Sequence, residues 1–263
     1  MTNKTVQAAA GTAGALDGRE IELLHWIYGR EDLKELKGNP TKVLEAIDEF
    51  NCTVKMLMNI GPVKGTHVVN TINKEKPGVM IELGVYIGYS CILFGEALRA
   101  NGGKKYIGIE KNAEMAAVAN QLVDLAGLRD TVRILVGGSA EILKELVVEK
   151  EIEQIEIIFL DHWQELYLSD TWLLEEMNVM KPGVSFMIAD NVIFPGAPNF
   201  RKWVEASTKE KKELVKELES GLGCAKVKPN PNLIYETVLE EFETPWGLDG
   251  VTFTRVVGEE SSE

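Results

Sequence analysis

Two places in the sequence bring hard oxygen donors to the end of an apolar run. In IIFLDHW, Ile157 to Trp163, Asp161 and His162 follow an uninterrupted apolar stretch. In SFMIADN, Ser185 to Asn191, the run ends on Asp190 and Asn191. Two carboxylates and an amide oxygen suit a hard divalent cation such as Mg²⁺, and three ligands leave octahedral positions open for water and substrate oxygens. No cysteine stands beside them to favour a softer metal. The competing reading is capping, because Asp and Asn commonly begin the helices that follow strands.

A third constellation is ELGVYIGYS, Glu82 to Ser90. Gly84 and Gly88 have GxxxG spacing, whereas the dinucleotide fingerprint needs a further glycine where Tyr86 stands. No GKS or GKT follows, so a phosphate cradle is disfavoured. Glu82 before the first glycine suits a cofactor with a cationic amino-acid end. Glu110 closes the run KYIGIE, where a carboxylate can accept both hydroxyls of a ribose. Together these point to S-adenosylmethionine; the alternative is a glycine turn flanked by two solvated acids. His162, one of three histidines, reads more simply as a satisfied histidine than as a base. Trp163 is either a packing residue or a flat wall for an adenine ring. The stretch NVIFPGAP, apolar and stiffened by proline, would make a rigid lip for an aromatic substrate.

These residues need strands to carry them, and the chain supplies an alternation. From Val79 onward, VMIEL, KYIGIE, TVRILVG, IEIIFLD and VSFMIAD are short β-rich runs. Helical segments such as YSCILFGEALRA and NAEMAAVANQLVDLAGL separate them, the last helix being NFRKWVEASTKEKKELVKELE. Nearly continuous apolar strands between helices predict an α/β fold with a mostly parallel sheet covered on both faces. Such sheets bind ligands at the carboxyl ends of their strands, where Glu82, Glu110, Ser139, Asp161 and Asp190 fall. NLIYETVLEEFE and GVTFTRVVG read as a closing hairpin, with TPWGLDG as its turn. Before Val79, EIELLHWIYG and PTKVLEAIDEFNCTVKML read as helices. The expected organisation is a flexible leader over 1–17, one domain over 18–257 with a helical N-terminal layer, and a frayed tail over 258–263. The charged run Lys209 to Glu219 reads as a solvated helix face.

The 263 residues, 45% of them hydrophobic, can bury a sizeable core, and the net charge of −13 disfavours nucleic acid and anionic membrane as partners. Cys52, Cys91 and Cys224 form no CxxC pair and are odd in number, which favours a reducing compartment. No apolar run of about 18 residues predicts a membrane span. A cytoplasmic protein acting on a small molecule is the resulting expectation.

The motifs VLEAIDEF, MNIGPVKG, IELGVYIGYS, VDLAG, FLDHW, YLSDTWLLEE and ADNVIFPGAP resemble, in order and spacing, those of the catechol O-methyltransferase family of class I S-adenosylmethionine-dependent methyltransferases. The likeness runs from about Val43 to Val251. It implies a Rossmann-like seven-stranded sheet with an antiparallel C-terminal hairpin, and a monomer that passes a methyl group to a catechol hydroxyl held by Mg²⁺. By that resemblance Met58, Ile60, Glu82, Gly84, Tyr86, Ser90, Glu110, Ser139, Asp161, His162 and Trp163 meet the cofactor. Asp161, Asp190 and Asn191 hold the cation, Pro195 walls the catechol slot, and Glu240 matches the acid that takes the second hydroxyl. Three positions depart from the pattern, and the neighbour of a fourth is a second acid. The family's general base, a lysine after DHW, is Gln164; a slot tryptophan is Met56; an adenine-contacting glutamine is Ala140; and Glu241 sits beside Glu240 in TVLEEF. An amide accepts no proton at neutral pH, so water or Glu165 would have to receive it. Methylation of another vicinal diol or phenol, or a catalytically impaired cofactor-binding homologue, are the alternative functions.

Overall fold

A computed structural model of the chain describes residues 17–219 and 227–261. Cys224 and nearly all of the expected leader lie outside the described residues. Seven strands, β1 (Val79–Leu83), β2 (Lys105–Glu110), β3 (Val132–Val136), β4 (Ile157–Leu160), β5 (Phe186–Ala189), β6 (Leu233–Thr244) and β7 (Gly247–Glu259), take the order β3-β2-β1-β4-β5-β7-β6. The pairs β1/β4, β4/β5 and β2/β3 are parallel, while β7 runs antiparallel to both β5 and β6. This is the mostly parallel sheet with a closing hairpin that the strand pattern predicts. The described residues pack as two compact units, one of 17–76 and 85–136, the other of 77–84, 137–219 and 227–261.

The first unit holds β2 and β3 with α1 (Arg19–Tyr28), α2 (Leu33–Leu36), α3 (Pro40–Thr53), α4 (Gly61–Glu75), α5 (Tyr89–Ala100) and α6 (Ala113–Leu125). α3 starts where Asn39 accepts a hydrogen bond from the Lys42 amide at 3.2 Å, with Pro40 already set to a helical φ. Its buried Val43, Ile47 and Phe50 recur at helical spacing, as do Leu23 and Ile27 of α1, and Phe50 meets Trp26 edge-on at 5.7 Å. α6 starts the same way, Asn112 accepting from the Glu114 amide at 2.8 Å. α4 has no counterpart in the sequence reading, because Gly61, Pro62 and Gly65 hide a stripe that includes the buried Val68 and Ile72.

The second unit holds the other strands with α7 (Ser139–Val148), α8 (Tyr167–Glu176), α9 (Pro198–Val204) and α10 (Thr208–Glu219). The segment read as one helix after Asn199 is two. Ser207 opens a new helix through a capping box, its amide and hydroxyl both donating to Glu210, at 2.8 and 2.6 Å. The hairpin turn is also shorter than the sequence suggests. Thr244 pairs with Gly247, so only Pro245 and Trp246 turn, and Gly247 to Gly250 are strand. At the other end β7 continues to Glu259 opposite Leu233, and the Glu260 amide donates to the Asn232 carbonyl at 2.9 Å. The tail expected to fray from 258 is therefore held by strand pairing to Glu260.

Behind this hairpin lies a buried polar cluster. Glu175 of α8 accepts from Trp203 Nε1 at 2.8 Å, from the Asn230 amide at 3.0 Å and from the Tyr235 hydroxyl. Lys211 is fully buried, donates to the Leu233 carbonyl at 2.9 Å and lies 3.4 Å from the centroid of the Tyr235 ring. Burial, only partly offset by Glu175, pulls the Lys211 ammonium down to about 8.

Candidate active site

The two strand tips that end on oxygen donors lie side by side in the second unit. Leu160 pairs with Ala189, so Asp161 and Asp190 leave neighbouring parallel strands at the same level. Such strands lie about 4.8 Å apart. The Asp190 amide donates to the Leu160 carbonyl at 3.0 Å and the Asp161 amide to the Leu83 carbonyl at 2.9 Å, which fixes both backbones. Asp190 is buried, and Asp161 and Asn191 are half-buried. Asn191 has a φ of +56°, and its side chain makes no capping bond to the turn Val192–Gly196 that follows. That side chain instead donates from Nδ2 to Oδ2 of Asp249 at 2.7 Å.

Beneath these tips lies Tyr167, the buried first residue of α8. Its hydroxyl donates to the Asp190 carbonyl at 3.1 Å. Burial first, then the nearby carboxylates of Asp161, Asp190 and Asp249, push this phenol well above its ordinary value, so it stays protonated. Two carboxylates and the Asn191 amide oxygen are a donor set for a hard cation. Among the described residues no group of three or more His, Cys, Asp or Glu side chains is arranged to hold a metal, so any cation here depends on that amide.

His162 is held away from free rotation. Its Nε2 lies 2.8 Å from Oδ2 of the buried Asp170, and its ring stacks on Tyr167 with centroids 5.1 Å apart. Its other nitrogen, Nδ1, is buried with no hydrogen-bond partner. Trp163 is 60% exposed. Pro195 is exposed in the Val192–Gly196 turn, beside an open hollow of about 520 Å³ lined by Ile193, Pro195, Arg201 and Lys202 among others. Of the two hairpin acids, Glu240 is half-buried and Glu241 exposed. Ser139 opens α7, half-buried. Glu82 is fully buried in β1, and Gly84 follows with a φ of +91°. A Cβ on Gly84 would come within 2.3 Å of the Asp161 carbonyl oxygen, so only glycine fits there.

In the first unit the glycine turn is tied to Glu110. One oxygen of this carboxylate accepts from the Val85 and Tyr86 amides at 3.1 and 2.9 Å, the other from the Asn112 amide at 2.7 Å. A carboxylate has about four acceptor sites, so lone-pair capacity remains for a ribose. Tyr86 takes a φ of +51°, unusual for its type, and its hydroxyl donates to Glu20 at 2.7 Å. Burial and then Glu20 raise the Tyr86 phenol far above its ordinary value. Glu20 is fully buried, and its second oxygen has no hydrogen-bond partner. Ser90 and Ile60 are buried, Met56 and Met58 exposed, and Arg19 donates to the Met56 carbonyl. Sequence reasoning missed Glu20, Tyr167, Asp170 and Asp249 as members of these groups. Only Asp170 left a local trace, one helical stretch after His162.

A glycine turn before a helix, acids at strand tips and a sheet closed by a hairpin define an α/β fold of the Rossmann-like class. The chain belongs to the O-methyltransferase family, whose model matches residues 39–222. It is similar to catechol O-methyltransferase from Mus musculus, 38% identical over 171 residues, which is 65% of this chain and 63% of the mouse protein. The Bos taurus catechol O-methyltransferase is 36% identical over 172 residues, 65% of this chain and 62% of its own length. The match thus spans less than two thirds of either relative. In fold the chain resembles the O-methyltransferase from Bacillus cereus solved in complex with SAH, with a TM-score of 0.57 at 17% identity over 89% of this chain and 99% of that one.

Proposed function

We propose that this chain is an S-adenosylmethionine- and Mg²⁺-dependent O-methyltransferase for catechol-type small molecules. The observation that carries the reading is the in-register pairing that brings Asp161 and Asp190-Asn191 to neighbouring strand ends, with the Asn191 side chain unused as a cap. When bound, Mg²⁺ lowers the pKa of a phenolic hydroxyl, and S-adenosylmethionine supplies an electrophilic methyl group. Asp161, Asp190 and Asn191 would hold the cation. Glu110 would hold ribose hydroxyls, Glu82 the amino-acid end, and Tyr86, fixed by Glu20, would stand in the same loop. Trp163 and Pro195 would supply flat walls, and Glu240 would accept from a second hydroxyl. Holding the reacting oxygen and the methyl group in line removes much of the entropic barrier.

Gln164 favours a second reading, an impaired cofactor-binding homologue, because an amide cannot take a proton at neutral pH. Tyr167 does not replace the base, because it stays protonated. One experiment separates the readings. Calorimetry with S-adenosylmethionine is followed by methylation of a catechol panel with and without Mg²⁺, using the wild type and Asp190→Ala. Cation-dependent turnover lost in Asp190→Ala supports the enzyme. Cofactor binding with no turnover on any diol supports the impaired homologue. Turnover indifferent to Mg²⁺ and to Asp190→Ala refutes the cation assignment.

A further inference from the structure

We propose that Asp249 is a positioning residue for this edge, a carboxylate clamp that decides which arm of the Asn191 amide faces the cation. The inference rests on reading Asn191 as a cation ligand. Asp249 sits on β7, opposite Phe242 of β6, and is 2% exposed. Its Oδ2 accepts from Asn191 Nδ2 at 2.7 Å. Its Oδ1 accepts from the Phe194 amide at 2.9 Å and from the Gly250 amide at 2.7 Å. One buried side chain of the hairpin therefore holds both the amide at the strand tip and the turn that carries Pro195.

The chemistry of the pair makes the orientation one-sided. An ionised carboxylate only accepts, so an amide can face it with nitrogen and not with oxygen. With Nδ2 committed to Asp249, Oδ1 is the arm turned away, and only that arm can ligate a hard cation. Left alone, the amide would choose between two orientations half a turn apart, one of which presents N–H groups to a positive charge. The Phe194 contact adds a second constraint, because it fixes the backbone three residues beyond the ligand. Groups that orient a ligand in this way are typically worth about 10–100-fold in metal affinity.

The isosteric change Asp249→Asn tests the clamp. The new amide must keep its oxygen on the Phe194 and Gly250 amides, which leaves its NH₂ facing Asn191. Asn191 must then turn its oxygen inward and offer nitrogen to the cation. Mn²⁺ serves as the probe, titrated into the full chain without cofactor or substrate and followed by electron paramagnetic resonance. Circular dichroism checks the fold. We expect Asp249→Asn to bind Mn²⁺ about 10–100-fold more weakly than the wild type. The exchange variant Asn191→Asp/Asp249→Asn restores a donor facing an acceptor with the same net charge, and it is expected to bind more tightly than either single variant. Wild type without Mn²⁺ affinity overturns both this inference and the cation reading. Wild type that binds, with Asp249→Asn binding equally well, overturns the clamp alone. An exchange variant weaker than Asn191→Asp also overturns it, because net charge then accounts for the series. If Asp249→Asn does not fold, the exchange variant against wild type decides: recovered affinity supports the clamp, and lost affinity refutes it.

Discussion

Replacing Gly84 with alanine should displace Asp161 directly. The new Cβ would lie 2.3 Å from the Asp161 carbonyl oxygen, 2.7 Å from its carbonyl carbon and 2.8 Å from His162 Cα, where ordinary contact begins at 3.4 Å. All three atoms are backbone, so no side chain can swing aside. The Asp161 amide is bonded to the Leu83 carbonyl next to Gly84, which resists the retreat. A φ of +91° adds left-handed strain of about 1–2 kcal/mol, and overpacking adds about 1–3 kcal/mol, for a total of about 2–5 kcal/mol. Gly102 is the control. It has a φ of +86° with nothing within 4 Å of its added Cβ, so Gly102→Ala should cost only the strain of about 1–2 kcal/mol. Urea unfolding of both variants gives the difference, and Mn²⁺ titration reports whether Asp161 has moved. A shift near 1 Å at a reacting centre can cost about 10²-fold in rate, so methylation should fall more than stability alone explains. Equal stability and equal Mn²⁺ affinity in the two variants would refute the argument that Gly84 is there to let β1 pass Asp161.

Gln164→Lys should raise kcat on catechols by about 10²–10⁴-fold if the site lacks only a base; a fall would assign Gln164 to a different substrate. Tyr86→Phe strips Glu20 of the hydrogen bond from Tyr86 and leaves a buried carboxylate, a loss of about 1–3 kcal/mol in urea unfolding. The loss should shrink when Glu20→Leu is already present, and full additivity would show that the pair does not act together. Lys211 makes stability depend on alkaline pH: its folded value of about 8 lies below the ordinary 10.5, so the unfolded chain holds the extra proton between them. Its contribution therefore rises with pH across that window, and Lys211→Met should abolish the rise in a pH series of unfolding midpoints.

The strand tips were legible because two independent periods coincide there. IIFL and FMIA are buried throughout, and parallel pairing in register then fixes Asp161 and Asp190 as neighbours without further information. The glycine turn was legible for a similar reason, since positive φ at Gly84 and Gly88 leaves a residue-type signature. What stayed hidden depends on distant partners. Glu20 and Tyr86 are 66 residues apart, and Asn191 and Asp249 are 58 apart. Asp249 also sits in GLDG, whose composition reads as a turn although it is strand. α4 was lost because glycine and proline at its start outweighed a modest apolar stripe. The capping box at Ser207 was present in the letters, but a continuous charged run on either side masked it.

Asn191 is the residue on which the competing readings of the strand tip divide. If it were a helix cap, its side chain would accept from an amide one turn on, and none does so. An aspartate would cap as well, yet here it would set a second carboxylate against that of Asp249, to which the Asn191 amide now donates at 2.7 Å. An amide avoids that repulsion and does something a carboxylate cannot: it donates to Asp249 with one arm while keeping an oxygen for the opposite side. A residue chosen only to end β5 needs neither property. The choice of amide and the buried acid that holds it by its nitrogen are one arrangement, in which the amide oxygen is the arm left for a ligand.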